Sequence, residues 1–295
     1  MADAFRIAYC IECHKYTPVL QELCRLLQHP DHTIFIHVDR KSRLRDFAPL
    51  KGMARLLTKR TNVYWGRFGQ IEATLKLFDA TRRGDFRYIV LLSGDTLPLR
   101  TCAELRGYLL RSYPMQFADM QKAHNIEEIL TKMRLMYYYD KTTLARRIAR
   151  KYCKWFRPQS NPLFAQLPPL EKGSNWIVIT DRFRDFIFDY IRAHPDYLRA
   201  FKYSNCGDEI FFQTLLGISE FAASNSGEPV MYTEWVHEKG SNGPAHPETF
   251  GTDDLPRLLQ ARNAATAYPF LFARKIDDDM DIARYRATFF PQTDE

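Results

Sequence analysis

The stretch Tyr88–Leu92, YIVLL, constrains the fold of this chain more than any other. A strand with one wet face alternates apolar and polar residues. An unbroken apolar run of this length, rich in β-branched and aromatic side chains, predicts a central parallel strand covered on both faces. It ends in Ser93-Gly94-Asp95-Thr96-Leu97-Pro98, a polar turn. Helix and strand patterns alternate around it. Phe5–Cys10 predicts a strand. Thr17 followed by Pro18 predicts a helix start, with Leu20, Leu23, Cys24 and Leu27 on one face. Thr33–Val38 is the next apolar run and ends in Asp39. Gln70–Arg82 carries Ile71, Leu75 and Phe78 at helical spacing, and Thr101–Arg111 is a further helix. Such alternation predicts an α/β fold with a mostly parallel sheet flanked by helices. Ligands of such sheets bind beyond the carboxyl ends of the strands. His37-Val38-Asp39 and Ser93-Gly94-Asp95 therefore mark the expected site.

Residues 119–172 have a different character. They are basic and aromatic, with Tyr137, Tyr138, Tyr139, Trp155 and Phe156, and Pro158, Pro162, Pro168 and Pro169 crowd their end. We read them as an excursion from the sheet. Regular patterning then returns. Asn175–Thr180 predicts a strand, Asp181–His194 and Asp208–Leu216 helices, and Val230–Glu234 a short strand. Thr252–Arg262 predicts a helix with Asp253 and Asp254 in its first turn, where the macrodipole favours anions.

The chain has 295 residues, enough to bury a core without disulfide or metal. Its 42 basic against 35 acidic residues leave a net charge of +7, which suits an anionic partner: nucleotide, nucleic acid or lipid head group. No basic flank leads into an apolar stretch at the start and no run approaches a membrane span, so the expected location is cytoplasmic. Cys10 and Cys13 form a lone CxxC, readable as a redox pair or as reduced thiols packed in the core, the simpler account. Leu144–Phe156 interleaves Arg146, Arg147, Arg150, Lys151 and Lys154 with apolar residues. That pattern fits an ordinary helix with a charged outer face, or one docked peripherally on an anionic membrane at its inner side.

Three features could carry chemistry. Glu209, in Cys206-Gly207-Asp208-Glu209 before an apolar helix, sits where the helix dipole favours an ionised carboxylate, a possible general base; on residues alone, simple helix capping is the more economical account. Arg274-Lys275 follows the apolar run Phe270–Ala273 and could hold a diphosphate, or be a solvated pair. Asp277-Asp278-Asp279 with Asp281 contains a DxD spacing that invites a divalent metal. The run lies near the end of the sequence rather than after a central strand, so we expect a solvated acidic loop and no metal site. Gly66, Gly69, Gly94 and Gly173 make neither GxGxxG nor a P-loop, and HExxH and GxSxG are absent.

Several stretches then combine in one order: Ile7-Ala8-Tyr9 with His14, Ile36–Ser42 (IHVDRKS), Val63–Gly66 (VYWG), Leu92–Leu99, Lys172–Trp176 (KGSNW), Gly207-Asp208-Glu209 with Phe212-Gln213-Thr214, Trp235, His246–Phe250 (HPETF) and Leu271–Lys275 (LFARK). Together they resemble the core-2/I-branching enzyme family, glycosyltransferase family 14, especially its shorter bacterial members. The resemblance runs from Phe5 to about Asp281. It implies a GT-A type fold, a UDP-sugar donor, a glycan or glycolipid acceptor, and inverting, metal-independent transfer, most readily of N-acetylglucosamine. Xylose or glucuronate transfer, and sugar-nucleotide binding without catalysis, are the alternatives; a nucleic-acid partner is not expected. One domain over 1–295 is implied, with a nucleotide-binding half (1–118), the excursion (119–172) and a catalytic and acceptor half (173–295). The motifs assign Glu209 as base, Lys275 with Arg274 to the diphosphate, and Asp39, His14, Trp65 and Gly66 to the nucleotide. Gly173, Ser174, Trp176 and Asp95 would line the donor sugar's pocket, and Trp235 would face the acceptor. The family's second diphosphate-binding arginine has no counterpart here; His246 is the candidate to stand in.

Overall fold

The computed structural model describes residues 5–120, 126–137, 159–236 and 246–291. The first half contains β1 (Ile7–Cys13), α1 (Pro18–Leu26), β2 (His32–Val38), β3 (Arg55–Leu56), α2 (Phe68–Thr81), β4 (Tyr88–Ser93), β5 (Thr96–Pro98), α3 (Cys102–Ser112), β6 (Gln116–Asp119) and α4 (Ile126–Arg134). Then come β7 (Val178–Thr180), α5 (Asp181–Ala193), α6 (Pro195–Ala200), α7 (Asp208–Gly217), β8 (Asn225–Gly227), β9 (Met231–Tyr232) and β10 (Trp235–Val236). The last elements are β11 (His246–Pro247), α8 (Leu255–Asn263), β12 (Phe272–Arg274) and α9 (Ile282–Phe289).

The central sheet has seven strands in the order β3-β2-β1-β4-β7-β6-β8. β3, β2, β1 and β4 are mutually parallel. β7 runs antiparallel to both β4 and β6, and β8 lies parallel to β6. The α/β class expected from the alternating pattern is therefore the one observed. The chain leaves β1 for β2 on one side and later returns to β4 on the other. Such a reversal parts the loops that leave neighbouring strands and opens a crevice beyond their carboxyl ends.

The strands sort their side chains by parity, because successive residues of a strand point to opposite faces. On β1, Ile7, Tyr9 and Ile11 join one apolar cluster with Val19, Leu20 and Leu23 of α1. Ala8 and Cys10 join a second with Ile71, Leu77 and Phe78 of α2 and Phe211 and Phe212 of α7. β4 divides in the same way, Tyr88, Val90 and Leu92 to the first cluster and Ile89 and Leu91 to the second. This double burial is what the YIVLL run requires. Local signals set the helix starts. Thr17 accepts the Leu20 amide at 3.0 Å ahead of Pro18, and Thr101 and Glu104 form a capping box on α3.

The sequence reading departs from the structure in identifiable places. β1 continues to Cys13, so Cys10 and Cys13 lie in one extended strand on opposite faces, roughly 10 Å apart by strand rise. That separation forbids a bridge, both thiols are free, and the redox-pair reading is withdrawn. The expected strand over 230–234 shortens to β9. Thr252–Asp254 forms a 3-10 turn, and α8 starts only at Leu255. β6 and β8 carried no clear sequence signal. Among the described residues between 120 and 177, none adds a strand to the central sheet. The basic stretch 144–156 lies outside the described residues, with Tyr138, Tyr139, Trp155 and Phe156. Among the described residues no helix is long and apolar enough to cross a membrane.

A second sheet, β5-β12-β9, positions the candidate site. β12 pairs antiparallel with β5, placing Arg274 opposite Thr96 and bringing the end of β12 beside the turn that follows β4. Because Leu91 is buried in the second cluster, Leu91→Ala is expected to cost about 2–5 kcal/mol in chemical denaturation. A loss below about 1 kcal/mol would show that the helices do not close over that face of the sheet.

Candidate functional site

A cavity of about 940 Å³ lies beyond the carboxyl ends of β1, β2 and β4. Its wall includes His37 and Asp39 from the end of β2 and Ser93, Gly94 and Asp95 from the end of β4, the two polar ends singled out by the strand pattern. His14, Trp65, Trp176, Arg274 and Lys275 also line it. Asp39 is held in a turn of its own: Oδ1 accepts the Lys41 amide at 2.9 Å and the Val63 amide at 3.4 Å, while the carboxylate pairs with Lys41 Nζ. His37 Nε2 accepts the Thr61 amide at 2.9 Å. Burial, aided by Lys76 and opposed by Asp39, pushes this imidazole down to about 4. It is a neutral ring that ties β2 to the loop bearing Trp65.

Arg274 and Lys275 are adjacent in sequence but differently engaged. Arg274 Nε donates to Ser93 Oγ at 2.8 Å and lies 3.4 Å from Asp95 Oδ1. Its guanidinium sits 4.7 Å from the centre of the Trp176 ring. It is thus a largely buried cation committed to the wall. Lys275 has no ion pair or side-chain hydrogen bond among the described residues, although it lines the cavity. Burial first, and then the neighbouring Arg274 charge, lower its pKa, with Asp95 pulling the other way. The backbone around it is fixed on both sides: Phe250 N donates to Lys275 O at 2.8 Å, and Ile276 N to Asp95 O at 2.8 Å.

Glu209 lies in the first turn of α7 and does not line this cavity. Its carboxylate is 3.0 Å from Lys132 Nζ, on α4, and 3.9 Å from Lys172 Nζ. Two backbone contacts connect it to the cavity wall. Gly173 N donates to Glu209 O at 2.9 Å, three residues before Trp176. Cys206 N donates to Gly66 O at 2.8 Å, next to Trp65. Both contacts need glycine. A Cβ on Gly173 would collide with the Asp119 carbonyl. Gly66 has φ +65°, and a Cβ there would lie 3.0 Å from Cys206 Sγ. Ser174 lies between: its carbonyl accepts from Gln213 Nε2 at 2.5 Å and its hydroxyl from the Trp176 amide at 3.2 Å. Gly66, Gly173 and Ser174 thus shape the wall without lining it.

Trp235 and His246 lie outside the cavity, facing each other's segment across the β10–β11 pair. Trp235 is 60% exposed and Trp65 83%, unusual values for tryptophan and apt for a surface that receives a ligand. His246 is also exposed, and Thr249 is the nearby residue that does line the cavity.

Sequence reasoning missed several wall residues. Glu12, at the end of β1, is buried with no ion pair among the described residues. Thr74 Oγ1 donates to it at 2.6 Å, and Gln70 Nε2 donates to its other oxygen. Burial drives this carboxyl up to about 8, eased by Thr74 and reinforced by Asp208. Asp208 is itself raised to about 7 by burial and by Glu209. A charged residue closing an otherwise apolar strand was the signal for Glu12. The acidic run is also corrected in place. β12 folds back against β5, so Asp277 and Asp278 line the cavity rather than a remote loop. Asp278 pairs with Lys15, and Asp277 Oδ1 accepts the Asp279 amide at 2.9 Å. Among the described residues no group of three or more His, Cys, Asp or Glu side chains is arranged to hold a metal ion.

Comparison with known proteins places these residues in context. The family model described as Core-2/I-Branching enzyme matches residues 7–260. Xylosyltransferase 1 of Canis lupus familiaris is 23% identical over 94% of this chain and 30% of its own length. A human protein named as a probable beta-1,3-galactosyl-O-glycosyl-glycoprotein beta-1,6-N-acetylglucosaminyltransferase 7 is 23% identical over 94% of this chain and 65% of its own. The chain thus spans about a third of the length of the xylosyltransferases it matches. Among solved structures, mouse xyloside xylosyltransferase 1 aligns over 90% of this chain and 97% of its own, at 11% identity and a TM-score of 0.36.

The raised Glu12 carboxyl has a stability consequence. Between its ordinary value of 4.5 and about 8 the folded chain holds a proton that the unfolded chain has lost, so Glu12 makes folding less favourable as pH rises across that window. Glu12→Gln keeps the shape and removes the titration. Its Tm should gain on that of the unsubstituted protein between pH 5 and pH 8; parallel Tm curves would refute the buried, proton-holding carboxyl.

Proposed function

The chain belongs to the core-2/I-branching enzyme family, and from that premise we propose that it is an inverting glycosyltransferase, moving a sugar from a UDP-sugar to a hydroxyl of a glycan or glycolipid without a bound metal. The observation that carries this reading is Lys275, a half-buried ammonium that lines the cavity with no ion pair among the described residues. A departing diphosphate gathers negative charge, and a preorganised cation in a sheltered site stabilises that charge as it develops. Arg274 supports it from the wall. Asp39 and the neutral His37 hold the nucleoside end, with His14 and Trp65 beside them.

Glu209 is the base in this reading. The acceptor oxygen attacks the anomeric carbon in line, the bond from that carbon to the diphosphate oxygen breaks, and the acceptor proton passes to Glu209. The linkage formed is β, opposite to that of an α-linked donor. The acceptor enters at the Trp65–Trp176 edge, the edge tied to Glu209 through Gly66 and Gly173. Trp235, exposed nearby in sequence to the β11 segment, offers an apolar face to a sugar ring. N-acetylglucosamine is the donor sugar proposed first, as in the name of the human relative. Xylose is the second reading, because several relatives are named xylosyltransferases.

Glu209→Gln should retain UDP binding and lose transfer by roughly 10²–10⁴-fold, the usual worth of general-base catalysis. Turnover near that of the unsubstituted enzyme would remove Glu209 from the mechanism. A thermal-shift and transfer panel of UDP-N-acetylglucosamine, UDP-xylose and UDP-glucuronate, each with and without chelator, tests the rest. Transfer should survive excess EDTA. Activity only with added Mn²⁺ would overturn the metal-free reading and turn attention to Asp277 and Asp278.

A further inference from the structure

We propose that Lys15 is a second phosphate-binding residue of the cavity, paired with Asp278 in the free protein and transferred to the donor's phosphates on binding. The inference rests on the UDP-sugar reading above and extends it to a residue that no motif singled out. A nucleoside diphosphate sugar carries more than one negative charge, and Lys275 alone cannot balance it. The other cations lining the cavity are Lys15, Lys41 and Arg274.

Two of these are not free to move. Lys41 holds Asp39, whose side chain is only 6% exposed, and also donates to the Val63 carbonyl. Withdrawing it would strand a buried carboxylate, a costly change. Arg274 is fixed by Ser93, Asp95 and the face of Trp176. Lys15 differs on every count. Its side chain is 54% exposed, its partner Asp278 is 38% exposed, and among the described residues its side chain makes no other ion pair or hydrogen bond. Exposed pairs of this kind contribute little and exchange partners readily. A lysine is also a point charge on a flexible stem, able to follow a phosphate without a fixed fork geometry.

The positions are apt. Lys15 follows the end of β1, Asp278 follows Lys275 by three residues, and all three line the cavity. The pair therefore joins the loop after β1 to the loop after β12 beside the cavity. While it is closed, Asp278 neutralises Lys15. When phosphates enter, they compete with Asp278 for the ammonium, and the freed Asp278 carboxylate repels them. Lys15 and Asp278 thus act on donor affinity in opposite directions. A pair that served only to hold the two loops together would act in the same direction from either side.

The test is calorimetric titration of UDP and of uridine into the unsubstituted protein, Lys15→Met, Asp278→Asn and the double variant. Lys15→Met should weaken UDP by about tenfold and leave uridine unchanged, since one phosphate contact is lost. Asp278→Asn should tighten UDP severalfold, and this gain should be smaller in the double variant, where relief of the Asp278 repulsion remains but no Lys15 ammonium is released. Weaker UDP binding in both single variants would make the pair a structural tie and overturn the proposal, as would unchanged UDP affinity in Lys15→Met. Lys275→Met separates the two readings. If it abolishes UDP binding while Lys15→Met does not alter it, only the role of Lys15 falls. If the unsubstituted protein does not bind UDP, the glycosyltransferase reading falls and takes this one with it.

Discussion

Arg274 donates to Ser93, faces Asp95 and lies over Trp176, so one largely buried guanidinium joins the end of β4, the end of β12 and the segment before β7. Those three parts are remote in sequence, and each supplies cavity wall. The β4 and β12 ends belong to different sheets; the β12–β5 pairing brings them side by side, and this juncture adds the segment before β7 to the same corner. The Ile276 amide on the Asp95 carbonyl adds a backbone tie at the same place. Arginine suits the role: a planar cation can donate to oxygen in its plane and stack on an indole face at once, which an ammonium cannot.

That arrangement divides two adjacent cations between structure and ligand. Arg274 is neutralised by the wall, and Lys275, the next residue, is left to the cavity. The anions divide in a related way. Asp39 is paired and hydrogen-bonded, so it is a fixed negative point. Glu12 is buried and Asp208 half-buried, neither in an ion pair among the described residues, and desolvation raises both. Glu209 follows Asp208 directly and meets two lysines instead.

The sequence made the sheet legible where burial on both faces leaves no choice of pattern. YIVLL reads as a doubly covered strand in any context, and the Thr17-Pro18 and Thr101–Glu104 starts carry their own hydrogen-bond chemistry. Shorter strands were opaque. Gln116–Asp119 and Asn225–Gly227 are held by each other and by cross-chain contacts such as Asn225 Oδ1 accepting the Ala118 amide at 3.0 Å, not by an apolar repeat. The candidate site was legible as motifs: Asp39, Asp95, Trp176 and Lys275 do share one cavity. Its finer sorting was not. Nothing in the string Arg274-Lys275 tells which of the two cations has a partner, and nothing in Asp277-Asp278-Asp279 tells that the run turns back to meet Lys15.

Periodicity, capping residues and motif order by themselves determined the α/β class, the end of the sheet at which the polar residues gather, and the family. They could do so because these properties are set by side-chain chemistry within a few positions along the chain. Tertiary structure alone decided that β12 pairs with β5, that Glu209 is not among the residues that line the cavity, and that Lys15 and Asp278 pair beside it. Those outcomes depend on contacts between residues tens to hundreds of positions apart, where geometry rather than local chemistry selects the partner.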